Sequence, residues 1–231
     1  MSTAYFITGT DTEVGKTYAT VALLRAAVAC GHRAVGMKPL ASGCVRNADG
    51  GLDNEDVLAH AAAGNVTVAR ELANPYAFLP PISPHLAARE AGVTVEFARI
   101  QQSYEQLSTL ADLVLVEGAG GWLAPVDEQR SMADLAQFLG LPVVLVVGMR
   151  LGCLNHALLT VEAIKARGIR LAGWLANCID PQMRAREDNL AYLAQHIAAP
   201  LLGVIPYSGA DQKAESNQEQ MLDIRLEVLI K

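Results

Sequence analysis

The chain carries no run of Lys or Arg, and its 18 basic residues are outnumbered by 24 Asp and Glu, for a net charge of −6 over 231 residues. Binding to a phosphate backbone needs clustered cations, so nucleic acid is not expected as a partner. The apolar fraction reaches 52%, yet it is broken into short runs such as residues 113–116 and 143–147. None nears the length of a membrane span, and no membrane association is expected. No basic leader precedes the first apolar segment, which makes a cytoplasmic enzyme the expectation. The four cysteines, Cys30, Cys44, Cys153 and Cys178, fall in no CxxC or other metal-type spacing. Each reads as a small core or loop residue rather than a zinc ligand or half of a disulfide. Internal repeats, low-complexity tracts and a dividing linker are also absent. Residues 1–231 therefore read as a single domain, long enough to bury a large core.

What the chain does have is a steady alternation of strand and helix patterns. Near-continuous apolar runs at 5–8, 34–37, 113–116, 143–147, 171–176 and 201–205 suit parallel strands covered on both faces. Helical patterns lie between them at 17–29, 55–63, 95–110, 132–139, 156–166 and 183–197. Ser131 and Asp134 have the spacing of a capping box, and Gly31, Gly140 and Gly168 stand where helices stop. Residues 74–84, with four prolines, read as the one long irregular loop. The predicted fold is α/β: a single doubly wound P-loop domain with a mainly parallel central sheet. In such sheets ligands collect at the carboxyl ends of the strands.

The first of those ends carries the strongest motif. Residues 4–17 read AYFITGTDTEVGKT, an apolar strand, a glycine-containing turn and the start of an alanine-rich helix. Gly9 and Gly15 let the backbone curl towards phosphate oxygens. Lys16 offers a flexible charge to the β- and γ-phosphates, and the Thr17 hydroxyl can sit on Mg²⁺. The helix adds its positive N-terminal end. Five residues, Thr10 to Val14, separate the glycines where the common phosphate loop has four, which leaves the branch of the P-loop class open.

Other strand ends supply further candidates. Residues 112–117 deliver Glu117 beside that loop, where a carboxylate can hold Mg²⁺, and the glycines at 118, 120 and 121 permit close backbone approach. Lys38 follows a strand and precedes a proline. It is either a solvated surface lysine or, beside a triphosphate, a charge that stabilises phosphoryl transfer. Ser42-Gly43 offers a hydroxyl and open backbone nearby. The acidic cluster Asp53-Asn54-Glu55-Asp56 reads as a helix cap or as a metal site. Residues 151–156, LGCLNH, run from a strand into a helix, and a glycine-led helix start favours a carboxylate. His156 has no identifiable catalytic partner and reads as a hydrogen-bonded structural residue.

Taken together, GTDTEVGKT, KPLASG, NPYAF, SPH, VEGAGGW, LGCLNHALLT and the ending WLAN…PLLGVIP resemble the dethiobiotin synthetase family of biotin biosynthesis. The matches run in collinear order from Tyr5 to about Tyr207, and the tail from Ser208 contributes none. The resemblance implies a homodimeric ligase that uses ATP, Mg²⁺, carbon dioxide and 7,8-diaminopelargonic acid. A carbamate would form on one amine and be phosphorylated to a carbamic-phosphoric anhydride, and the second amine would close the ring. It implies Thr17, Asp56 and Glu117 as Mg²⁺ ligands, Lys38 as the principal catalytic residue with Lys16, and Ser42 at the substrate. Glu13, Val14, Gly15, Lys16, Thr17 and Tyr18, with Glu117, Gly118, Ala119 and Gly120, would line the triphosphate. Asn177, Ile205, Pro206 and Tyr207 would hold the adenine. Gly152, Cys153, Leu154 and Asn155 would receive the diamine's carboxylate in the neighbouring subunit's site. Where the family can offer a tyrosine on the helix after Asn177, this chain has Asn189, with Tyr192 a turn away.

Two other classes compete. A P-loop amidoligase of the cobyrinic acid amide synthase kind would carry a glutaminase portion with a nucleophilic cysteine, for which the chain has neither room nor motif. A partition-type ATP switch usually shows an extra lysine early in the phosphate loop, where this chain has Gly9, Thr10 and Asp11.

Overall fold

The computed structural model describes residues 2–207 and 224–230. The chain opens with β1 (Thr3–Gly9), α1 (Lys16–Ala29) and β2 (Ala34–Met37), then three two-residue strands, β3 (Leu40–Ala41), β4 (Val45–Arg46) and β5 (Leu52–Asp53). There follow α2 (Glu55–Ala63), α3 (Arg70–Ala73), β6 (Tyr76–Ala77), α4 (Pro84–Glu90) and α5 (Phe97–Leu110). Strand and helix then alternate through β7 (Leu113–Gly121), α6 (Met132–Leu139), β8 (Val143–Met149), α7 (Cys153–Ala166), β9 (Leu171–Cys178), α8 (Arg186–His196) and β10 (Leu201–Ile205).

Six strands form one sheet in the order β10-β9-β8-β1-β7-β2, and every neighbouring pair is parallel. The chain works outward from β1 to β2, returns to β7, then crosses β1 to β8 and moves away on the other side. The switch point therefore falls at the carboxyl end of β1, between β7 and β8, and the phosphate loop emerges there. Side chains alternate between two cores. Tyr5 and Ile7 pack with Leu23 and Leu24 of α1 and with Leu226 and Leu229 near the C-terminus. Phe6, Val114 and Val116 face Ile100 and Leu107 of α5 and Leu135 of α6. Beyond β1 on the other side, Leu145, Val147 and Trp174 pack with Ala157 of α7 and Leu193 of α8.

Local signals set most helix limits. In α1 the residues Ala19, Leu23, Leu24 and Ala27 recur at helical spacing on the buried face. The helix ends in a Schellman motif, Gly31 (φ 85°) donating to the Val28 carbonyl and His32 to that of Ala27. Asn54 caps α2 by accepting from the N–H groups of Asp56 and Val57. The capping box of α6 is present, and Gly140 ends that helix in the left-handed region.

Several predicted limits shift. The helix predicted from 156 starts at Cys153, because Gly152 at φ 94° turns the chain into the helix at once. The helices predicted over 95–110 and 183–197 shorten to Phe97–Leu110 and Arg186–His196. The strand predicted to end at 116 runs on to Gly121, with Gly9 as the partner of Gly121 across a register shift. The irregular loop at 74–84 contains β6, which pairs with β3. No helix among the described residues is long and apolar enough to cross a membrane.

Candidate active site

The phosphate loop is gripped from β8 and β9. Glu13 (φ 58°) and Gly15 (φ 82°) are both left-handed, the conformation from which anion-binding backbone nests are built. For a glutamate this is uncommon and belongs to sites that hold the backbone in place. Val14 between them is buried, and a Cβ at Gly148 of β8 would lie 2.8 Å from its Cγ1. Asn177, at the end of β9, donates through Nδ2 to the Val14 carbonyl at 2.9 Å. A Cβ at Gly15 would fall 2.0 Å from that same nitrogen, so glycine is required for space as well as for φ. Lys16 Nζ donates to the Asp11 carbonyl at 3.2 Å, and Asp11 pairs with Arg150 at 2.6 Å.

Beneath the loop, four elements converge on one cluster. Glu117 of β7 is fully buried. Its Oε1 accepts from Thr17 Oγ1 of α1 at 3.0 Å and from Lys38 Nζ, just after β2, at 2.6 Å. Lys38 also pairs with Asp56 of α2 at 2.7 Å, and Asp56 Oδ1 lies 2.6 Å from Thr17 Oγ1, whose one hydrogen is shared between the two carboxylates. Burial would raise the Glu117 carboxyl, but the Lys38 charge and its other donors outweigh that and hold it well below the usual carboxylate range. Burial would likewise lower the Lys38 ammonium, and the charges of Glu117 and Asp56 hold it above its ordinary value instead. Lys16 is different: burial, reinforced by repulsion from Lys38, brings it down to about 8. The carboxylates of Glu117, Asp56 and Asp11 offset this only in part, so Lys16 is a buried cation whose charge is incompletely compensated.

Lys38 is only 5% exposed, so it is not a solvated surface lysine. Asp56 follows the Asn54 cap in the first turn of α2, and its carboxylate reaches Thr17 and Lys38. Ser42 lies against the start of α2, its carbonyl accepting from Asn54 Nδ2 at 3.3 Å. Gly118 packs on the Phe6 ring, and Gly120 (φ 68°) approaches Thr12 and Ala124, which keeps residues 118–120 beside the loop. Asn177 and Ile205 are register partners across β9 and β10, so they share one patch of the rim, next to the exposed Pro206 and Tyr207. Tyr18 is partly exposed on α1. Residues 152–155 are the cap and first turn of α7, where Gly152 and Asn155 are exposed, Leu154 half-buried and Cys153 buried. His156 is half-buried in the first turn of α7, where its carbonyl accepts from Thr160 Oγ1 at 2.7 Å. Asn189 bonds back to the Ala185 carbonyl on α8, and Tyr192 stacks on His196.

Sequence reasoning missed two partners of Glu117. Thr20 Oγ1 donates to Oε2 at 2.7 Å, and His60 Nε2 lies 2.8 Å from the same oxygen. Helical spacing was the available signal, since Thr20 follows Lys16, and His60 follows Asp56, by four residues. Among the described residues no cluster of three His, Cys, Asp or Glu stands ready for a metal. The donors that converge are two carboxylates and one hydroxyl.

A family model described as an AAA domain matches residues 3–213. The chain is 50% identical to the ATP-dependent dethiobiotin synthetase BioD of Nitrosospira multiformis, over 97% of this chain and 96% of that one. It is 52% identical to the enzyme of the same name from Aromatoleum aromaticum, over 90% and 92%. Among solved structures, the MinD cell division protein of Aquifex aeolicus superposes with a TM-score of 0.57 at 15% identity, over 94% of this chain and 86% of that one. At that identity the likeness is one of fold alone.

Proposed function

The chain belongs to the ATP-dependent dethiobiotin synthetases, and to the AAA-domain family that its residues 3–213 match, and on that premise we propose how its rim residues share the work. The enzyme is an ATP-dependent ligase of biotin biosynthesis that closes the ureido ring of dethiobiotin. Its substrates are ATP, 7,8-diaminopelargonic acid and carbon dioxide. The observation that carries the assignment of roles is the meeting of Thr17, Lys38, Asp56 and Glu117, from four separate elements, directly beside the phosphate loop.

One amine of the diamine adds to carbon dioxide, forming an N–C bond and losing a proton, to give a carbamate. A carbamate oxygen attacks the γ-phosphorus of ATP and ADP leaves, giving a carbamic-phosphoric anhydride. The second amine attacks the carbonyl carbon, the C–O bond to phosphate breaks, and phosphate departs with that oxygen. Each step moves negative charge among oxygens, so positioned cations are the main requirement. Lys16 meets the β- and γ-phosphates, which supply the anion its buried ammonium lacks. Lys38 stabilises charge on the carbamate and the transferring phosphoryl group, and Ser42 contacts the substrate. Residues 13–18 and 117–120 surround the triphosphate, and Asn177 with Ile205, Pro206 and Tyr207 holds the adenine.

Thr17, Asp56 and Glu117 would hold Mg²⁺. Thr17 Oγ1 stands 2.6 Å from Asp56 Oδ1 and 3.0 Å from Glu117 Oε1, and one or two carboxylates plus substrate phosphates are a usual magnesium donor set. When bound there, Mg²⁺ would supply positive charge against the triphosphate. The carboxylate of the diamine sits on the N–H groups that start α7, at Gly152, Cys153, Leu154 and Asn155 of the neighbouring subunit in a homodimer. Leu151, in the turn before α7, and Leu159, on that helix, are 94% and 62% exposed and give that dimer apolar side chains to cover. One continuous six-stranded sheet favours a single domain, and four free cysteines suit the reducing cytoplasm. The test is oxygen transfer: with ¹⁸O-labelled bicarbonate, one labelled oxygen should appear in the released phosphate, and unlabelled phosphate would rule out the anhydride.

A further inference from the structure

Glu117 divides its two oxygens between different environments. Oε1 faces the rim, where Thr17 and Lys38 reach it. Oε2 points away, held by Thr20 Oγ1 and within 2.8 Å of His60 Nε2. An ionised carboxylate offers only acceptors, so this contact places a hydrogen on Nε2. His60 is 2% exposed, and its Nδ1 has no hydrogen-bond partner among the described residues. A buried polar atom left unpaired is destabilising, a cost that an aliphatic side chain in the same place would avoid. The backbone also makes room for the ring, since a Cβ at Gly36 would lie 2.7 Å from the Cβ of His60. His60 stands one helical turn after Asp56, so α2 presents one carboxylate to the rim and then ties itself to the strand carrying the other.

We infer that His60 is a positioning residue for the cation site: its hydrogen bond stops rotation of the Glu117 carboxylate and fixes α2 against β7, which sets Asp56 and Glu117 at the separation one ion spans. This rests on Thr17, Asp56 and Glu117 being the Mg²⁺ ligands. Partners behind metal-bound carboxylates act in this way, and losing one typically lowers metal affinity 10–100-fold.

The experiment measures Mn²⁺ binding by loss of the free-ion paramagnetic signal, using the full chain with a non-hydrolysable ATP analogue. His60→Leu removes the donor while keeping bulk, and His60→Gln returns an N–H at similar reach. His60→Leu should weaken Mn²⁺ binding about 10–100-fold, and His60→Gln should recover most of it. ADP without divalent cation should bind all three proteins equally. In turnover, His60→Leu should raise the half-saturating Mg²⁺ concentration far more than it lowers kcat at saturation. Parent-like Mn²⁺ affinity in folded His60→Leu protein would overturn the inference, as would His60→Gln binding no better than His60→Leu. If His60→Leu does not fold, His60→Met takes its place under the same criteria. Failure of the parent protein to bind Mn²⁺ with the analogue would overturn the metal assignment itself, and with it the inference.

Discussion

Lys16 and Lys38 are both nearly closed to solvent, yet their neighbours push them in opposite directions. Lys38 lies between two carboxylates, so its charge is compensated before any substrate arrives, whereas Lys16 is left short of an anion. The division predicts different failures. Lys38→Gln should lower kcat by about 10²-fold or more, some 3 kcal/mol of transition-state stabilisation, and change ATP affinity much less. Equal losses in both, measured by single-turnover kinetics and direct binding, would make Lys38 a nucleotide anchor only. A second residue-scale prediction separates backbone strain from collision. Gly15 and Gly31 have nearly the same positive φ, but a Cβ meets Asn177 at the first and nothing within 4 Å at the second. Gly15→Ala should therefore sharply weaken nucleotide binding while Gly31→Ala leaves it unchanged, and similar affinities in the two variants would deny Asn177 its part in the loop. At this scale the sequence was informative wherever one residue type had one use, as for Gly15, Lys16 and Thr17. It was silent on whether Lys38 is buried, because that depends on Glu117, 79 residues away.

Among the elements, α6 offers the cleanest test of how local chemistry holds the frame. Burial would raise the Asp134 carboxyl, but the Ser131 hydroxyl, the Arg167 guanidinium and the Ser131 N–H outweigh it, bringing it from 3.8 to about 2. A carboxyl depressed in the folded state stabilises fully above its unfolded value and loses that contribution as pH falls through its folded one. Between pH 4 and pH 2 the parent should therefore lose more stability than Asp134→Asn, as read from urea midpoints. Parallel losses would mean that the capping box carries no pH-dependent stability. Helices with such side-chain caps, α2 and α6, were legible in the sequence to the residue. The start of α7 was not, since Gly152 caps it by backbone conformation and leaves no side-chain signal. The short pairing of Leu40–Ala41 with Tyr76–Ala77 was hidden too, because it exists only through tertiary contact within a proline-rich segment. The extension of β7 to Gly121 runs against glycine's weak strand preference and follows from the close approach to Gly9.

At the scale of the whole molecule, strand order does what no single motif does. It sets β7 and β8 on either side of β1, so that Glu117 arrives beneath the phosphate loop and Arg150 beside it. The sequence revealed the alternation of elements and the motifs at the strand ends, but not the grouping of Thr20 and His60 on Glu117, from 97 and 57 residues away. The exposed leucines of the α7 segment carry the expectation about assembly. Leu159→Asp should shift the particle from dimer to monomer in sedimentation and cut turnover with the fold intact, and an unchanged dimer would remove this face from the interface. On the proposed roles, the cluster couples ATP cleavage to ring closure. The most direct test of this coupling is phosphate release from ATP by the purified protein, with and without 7,8-diaminopelargonic acid and bicarbonate, alongside mass-spectrometric detection of dethiobiotin. The expected result is one phosphate per dethiobiotin, with release falling to background when either the diamine or bicarbonate is omitted. Steady phosphate release without the diamine, or release with no dethiobiotin formed, would contradict it.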